Sequence, residues 1–113
     1  MSVEYVKHLA IAVSNVDEAL AQYQKFLGIG MDSKPRDLAK AGSREAHFVM
    51  GNVEIQLCQS LTDDHRFSTF IKEHGEGLHH ACLAVRRLRV GRDGPFRRRH
   101  PERVQILPDH RRA

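Results

Sequence analysis

The hydrophobic positions of this chain follow two different periods in turn. Tyr5 to Val13, YVKHLAIAV, is apolar and β-branched enough for a strand. Val16, Ala19, Leu20, Tyr23, Phe26 and Leu27 then recur at helical spacing and predict one apolar helix face. Ser14 and Asn15 stand ahead of it as N-cap candidates. Asp17 and Glu18 lie three residues on from each, and Gly28 and Gly30 supply the stop. Residues 31–43 are polar and predict a loop with a weak edge strand. Arg44 to Met50 and Val53 to Gln59 alternate as strands joined by Gly51-Asn52, a tight turn. Asp63 or Asp64 can cap a second helix with an apolar face of Phe67, Phe70 and Ile71, ending at Gly75 and Gly77. Leu78 to Val85 is a further strand. The order is β, α, weak β, β, β, helix, β, an α+β arrangement.

Composition narrows the class. A chain of 113 residues buries one modest core and leaves no room for two. Its apolar fraction of 41% and charged fraction of 28% are those of an ordinary globular protein. No run of eighteen apolar residues exists, so a membrane span is not expected. Glu4 and Lys7 interrupt what would be the apolar stretch of a signal peptide, and the expected location is the cytoplasm. Cys58 and Cys82 form neither a disulfide framework nor a CxxC motif, and both are expected as buried free thiols.

Charge divides the chain in two. The net charge is +4, which by itself suggests a nucleic-acid partner. Residues 1–85, however, carry 8 Lys+Arg against 11 Asp+Glu, while residues 86–113 carry 10 Arg, no Lys and 3 acids. The basic character belongs wholly to RRLRVGRDGPFRRRHPERVQILPDHRRA. Pro95, Pro101 and Pro108 and the lack of periodicity predict an irregular tail over 86–113. Phe96 is its single aromatic, so the interleaved aromatics or helical basic stripe of a nucleic-acid-binding tail are absent and no such partner is expected. Ten arginines without one lysine also fit a GC-rich gene read in a shifted frame, beginning near Arg86 or Arg87.

The candidate chemistry lies in a short echo. His8-Leu9-Ala10-Ile11-Ala12-Val13 and His80-Ala81-Cys82-Leu83-Ala84-Val85 share H-x-x-x-A-V. Each copy lies on the strand that would open a βαβββ unit, so two such units packed face to face would bring the histidines to opposite sides of one cavity. Imidazole nitrogen from His8 and His80, with the side-chain oxygen of Gln56, suits a divalent ion held on strands. A lone histidine in an apolar strand is more often a hydrogen-bonded core residue, and Gln56 taken singly reads as a solvent-facing strand residue. By the period-2 rule His79 points to the opposite face from His80. Glu45, on the same face as His47, is a candidate general base or else an exposed strand carboxylate. His65 and His74 read as surface residues.

Three segments carry a family resemblance: HLAIAVSNVDEALAQYQKFLGI at 8–29, GNVEIQLCQSL at 51–61 and FSTFIKEHGEGLHHACLAV at 67–85. They resemble the methylmalonyl-CoA epimerases of the vicinal-oxygen-chelate (glyoxalase/bleomycin resistance/dioxygenase) superfamily over about three quarters of the chain. The resemblance implies βαβββ modules cupped around a divalent ion, Co2+ foremost, with Ni2+, Mn2+ or Zn2+ as alternatives. His8, Gln56 and His80 match the first three ligand positions. The fourth, a glutamate on the last strand of a second module, has no match here. The implied layout is a vicinal-oxygen-chelate domain over 1–85: a first βαβββ module at 1–60, a linker helix at 61–76 and the first strand of a second, truncated module at 77–85. That strand is expected to leave an unpaired edge. The implied activity is metal-assisted α-proton abstraction with Glu45 as base, interconverting (R)- and (S)-methylmalonyl-CoA, impaired in this chain. An acyl-CoA substrate and a homodimer are the implied partners. A glyoxalase I-like lyase or a non-catalytic small-molecule-binding protein of the same superfamily are the alternatives.

Overall fold

The computed structural model describes residues 2–86 and the backbone of 88–91, 94–98 and 102–106. Strand β1 (Ser2–Ala12) leads into helix α1 (Val16–Gln22), which continues as a π-helical turn over Tyr23–Leu27. Strands β2 (Arg36–Leu38), β3 (Ser43–Met50) and β4 (Val53–Ser60) follow. Then come helix α2 (Arg66–His74), β5 (Gly77–Arg86), β6 (Leu88–Gly91), β7 (Gly94–Arg98) and β8 (Glu102–Ile106). The class is α+β: one βαβββ module, a linking helix, and part of a second module.

Local chemistry explains the boundaries. Asn15, extended at φ −141°, accepts the Glu18 N–H at 3.0 Å through Oδ1, so of the two cap candidates it is Asn15 that starts α1. Gly28 at φ +65° ends the π turn. The helical stripe read from the sequence holds only as far as Tyr23, because Phe26 and Leu27 are 71% and 62% exposed. A π turn rotates the chain less per residue than an α turn, which carries these two side chains off the sheet-facing stripe. Helix α2 is capped by His65 in place of Asp63 or Asp64. Its Nδ1 accepts the Phe67 N–H at 3.3 Å, and Ser60 Oγ accepts the Ser68 N–H at 2.8 Å. His65 is thus a built-in part of the fold, with Nε2 also 2.8 Å from the Ala41 carbonyl. Gly51 at φ +64° opens the two-residue turn between Met50 and Val53.

Six strands form one sheet in the order β2-β3-β4-β1-β5-β8, with β6 and β7 paired separately. Strand β1 is central, parallel to β4 and antiparallel to β5. One sheet face is apolar and covered by α1: Val16 and Leu20 pack with Ala46, Phe48, Ile55 and Leu57. On the opposite face a smaller cluster joins Phe67 of α2 to Ala10, Ala12 and Cys58, with Phe70 and Ile71 packed against it. Both cysteines are buried free thiols. No helix among the described residues is long and apolar enough to cross a membrane.

The Arg-rich stretch departs from its expected irregularity. Glu102 to Ile106 runs antiparallel to β5, with Leu83 opposite Val104. The expected unpaired edge is therefore filled. An exposed strand edge presents a row of unpaired N–H and C=O groups, and ERVQI can satisfy them with backbone alone. Residues 87, 92–93, 99–101 and 107–113 of the tail lie outside the described residues.

Candidate functional site

The register assembles the candidate residues on the face opposite α1. Across the sheet, His47 pairs with Gln56, Gln56 with Ala10, and Ala10 with His80. One row along, Glu54 pairs with His8 and His8 with Cys82. On the other side, Glu45 pairs with Cys58 and Cys58 with Ala12. Directly opposed residues share a face, so His8, Gln56 and His80 surround the small Ala10, and Glu45 lies on the same side. His8 and His80 are 8% and 3% exposed, and their rings stand edge to face with centroids 5.6 Å apart. The echoed strands are thus direct neighbours in one ladder, and the two histidines are not on opposing walls of a cavity.

His79 also differs from the alternation rule. Ile11 pairs with Leu78 and Ala10 with His80, so two residues of β5 oppose one position of β1. This bulge interrupts the period of two. It sets the His79 ring against Phe67 and Phe70 of α2, at 4.9 and 5.1 Å between centroids, and its Nδ1 at 2.8 Å from His80 Nδ1.

Glu45 is buried and held at both oxygens. Ser43 Oγ donates to Oε2 at 2.5 Å, and His47 Nε2 lies 2.6 Å from Oε1. Burial alone would raise the carboxyl. The bonds from His47 and Ser43, and the nearby charges of His47 and Arg66, outweigh it and hold the group below the ordinary carboxylate range. Glu45 is therefore an ionised acceptor at neutral pH. The other ring nitrogen of His47, Nδ1, is 3.5 Å from Glu54 Oε1, which also accepts from the Gln56 amide at 2.8 Å. Sequence reading passes over Ser43, His47 and Glu54 as site residues. The alternation Ser43-Glu45-His47, three successive polar side chains on one face of β3, is the signal that marks Ser43 and His47. Burial, then the positive fields of His79, His8 and Arg66, depress the His80 pKa to about 4, against a smaller opposing effect of Glu45. Its imidazole is neutral at pH 7, the state in which nitrogen can bind a metal. Burial, with the Glu45 charge behind it, pushes the Cys58 thiol far up, which makes it an inert packing residue.

The residues present can be tested against a divalent ion. With metal–nitrogen bonds of about 2.1 Å, two imidazoles on one ion at 90–120° have centroids about 4.6–5.6 Å apart. The separation of His8 and His80 falls at the upper end of this range. Among the described residues no group of three or more His, Cys, Asp or Glu is arranged to hold an ion. The fit is to two nitrogen donors with the Gln56 amide beside them, a partial set.

Known proteins resemble this chain in sequence and fold. The sequence profile of the glyoxalase/bleomycin resistance protein/dioxygenase superfamily matches residues 7–92. The mitochondrial methylmalonyl-CoA epimerase of Bos taurus is 29% identical over 86 residues, covering 75% of this chain and 49% of the relative. The ethylmalonyl-CoA/methylmalonyl-CoA epimerase of Cereibacter sphaeroides is 29% identical over 89 residues, covering 78% and 66%. Among solved structures, methylmalonyl-CoA epimerase from Mycobacterium tuberculosis superposes with a TM-score of 0.63 at 25% identity, over 72% of this chain and 55% of that one. The chain spans about half to two thirds of the length of these curated relatives. With the profile covering most of its residues, the chain belongs to the glyoxalase/bleomycin resistance protein/dioxygenase superfamily.

Proposed function

We propose that this chain is a methylmalonyl-CoA epimerase-like protein that abstracts the α-proton of a 2-carboxyacyl-CoA, acting in the cytoplasm as a homodimer. The observation that carries the reading is the register that surrounds Ala10 with His8, Gln56 and His80 and sets an ionised Glu45 on the same sheet face. His8, Gln56 and His80 would hold the ion, with Co2+ favoured and Ni2+, Mn2+ or Zn2+ as alternatives. A bound divalent ion supplies the positive charge that stabilises negative charge building on the thioester oxygen as the α-proton leaves. Glu45 takes that proton onto a carboxylate oxygen. Ser43 and His47 fix the plane of the carboxylate, so the lone pair is aimed before substrate arrives. Inversion needs a second acid on the opposite face of the carbon, and the first-module residues supply only one. We therefore propose that this 113-residue polypeptide exchanges the α-proton far more readily than it epimerises.

The test is a D2O incubation of the Co2+-loaded polypeptide with (S)-methylmalonyl-CoA, following the α-proton by NMR and the stereoisomers by chromatography. Exchange without matching epimerisation is expected, and Glu45→Gln should slow exchange by about 10²-fold or more. Exchange unaffected by Glu45→Gln would overturn the assignment of the base. Epimerisation as fast as exchange would overturn the impairment. The superfamily profile itself carries the glyoxalase name, which favours a glyoxalase I-like lyase as the second reading. Turnover of a glutathione thiohemiacetal, with no exchange in the acyl-CoA, would select it.

A further inference from the structure

We infer that His79 is a positioning residue for the ion site: it fixes His80 so that the His80 Nε2 lone pair faces the metal position. The inference rests on the ion site proposed above. Its physical basis is the β5 bulge, where the register steps from His80 opposite Ala10 to Leu78 opposite Ile11, so that His79 is the extra residue and two consecutive imidazoles come to one side of the sheet. Their Nδ1 atoms are 2.8 Å apart, a hydrogen-bond distance. Only one proton fits between two nitrogens at that separation, so one ring donates and the other accepts. If His80 donates its Nδ1–H, its Nε2 is unprotonated and becomes the nitrogen that an ion can take. A metal-binding imidazole is generally fixed in this way by a bond at its other nitrogen.

His79 can fill that role because it is itself held. Its ring stands edge to face with Phe67 at 4.9 Å and 74°, and with Phe70 at 5.1 Å and 66°. Both aromatics belong to α2, and Phe67 is 1% exposed. The orientation of His80 is therefore tied to the seating of α2 on the sheet. The link runs from Phe67 and Phe70 through His79 to the candidate ligand.

His79→Phe keeps a ring against Phe67 and Phe70 and removes the nitrogen. His79→Asn restores an acceptor near the Nδ1 position and serves as the second variant should the first fail to fold. In the metal-free protein, 15N–1H correlation of the imidazoles should show His80 as the Nδ1–H tautomer, turning to a mixture in His79→Phe and returning in His79→Asn. In calorimetric titration with Co2+, His79→Phe should bind 10–100-fold more weakly, with an unaltered thermal midpoint. An unchanged His80 tautomer, or an unchanged Co2+ affinity, overturns the role of His79. If the unsubstituted protein gives no Co2+ heat beyond that of His80→Ala, the ion site itself fails and takes this inference with it. That result is distinguishable because the parent protein is already silent.

Discussion

Phe67 is the side chain on which the polar face of the sheet depends for packing. It is 1% exposed, centres the small cluster of Ala10, Ala12 and Cys58, and carries the Arg66 guanidinium over its ring at 4.8 Å. Removing a buried phenyl group costs about 3–5 kcal/mol in transfer and cavity terms together. Taking about 4 kcal/mol and a urea m-value of about 2 kcal/mol/M, Phe67→Ala should lower the unfolding midpoint by about 2 M with m unchanged. Against a total stability of about 5–15 kcal/mol, that loss can unfold the chain outright. Phe67→Leu, which keeps most of the volume, should cost about 1.5 kcal/mol and remain measurable. Phe26 is the internal comparison. It belongs to the apolar helix face by sequence spacing but is 71% exposed beyond the π turn, so Phe26→Ala should change stability by less than about 0.5 kcal/mol. Urea unfolding followed by circular dichroism reads all three variants. Costs for Phe67→Ala and Phe26→Ala that agree within about 1 kcal/mol would refute both the packing of α2 and the phase change at the π turn.

Two further predictions concern a turn and a titration. Gly42 sits at φ +70°, and a Cβ there would stand 2.9 Å from His65 Cδ2. Gly42→Ala should therefore cost at least about 1–2 kcal/mol, and a neutral result in chemical unfolding would mean that the His65 ring does not occupy this place. For His80 in metal-free protein, the folded pKa of about 4 lies below the ordinary value near 6.5. Its stabilising contribution is thus fully present above about pH 6.5 and is lost as pH falls toward 4. Between pH 7 and pH 5 the loss should be about 2 kcal/mol, and His80→Gln should flatten that part of the profile. An equal fall in both proteins would show that His80 is not buried in its neutral form.

The legible parts of this molecule were those governed by local rules. Asn15 before Glu18, Gly51-Asn52 between two alternating strands, and Gly28 after Leu27 each follow from backbone requirements that a few residues express. His8 and His80 could be gathered from the H-x-x-x-A-V echo, and Gln56 and Glu45 beside them from the family resemblance, while alternation along a strand assigns faces wherever the ladder is regular. It fails at His79, where a bulge adds one residue and no local feature of Leu78-His79-His80 announces it. The π turn was hidden for a similar reason, since Phe26 and Leu27 continue the i, i+3, i+4 spacing whether or not the helix widens. Strand β8 was obscured by its setting. Glu-Arg-Val-Gln-Ile alternates, but five residues among ten arginines give too short a signal, and its stabilisation comes from an edge far away in sequence.

The central place of β1 has a consequence for how the site comes into being. Its two neighbours in the sheet are β4 and β5, whose last residues are Ser60 and Arg86. During synthesis the first strand is made and then waits: at about 5–20 residues per second, roughly 4–15 s separate Ala12 from Arg86. Pairings between such distant segments require large loops to close first, which places this topology among the slower folders. The two imidazoles meet only across the β1–β5 ladder, so they become a pair in the last long-range closure of the first 86 residues. A nascent chain stalled before β5 would have both helices, a hairpin and His8, but not the second imidazole of the pair.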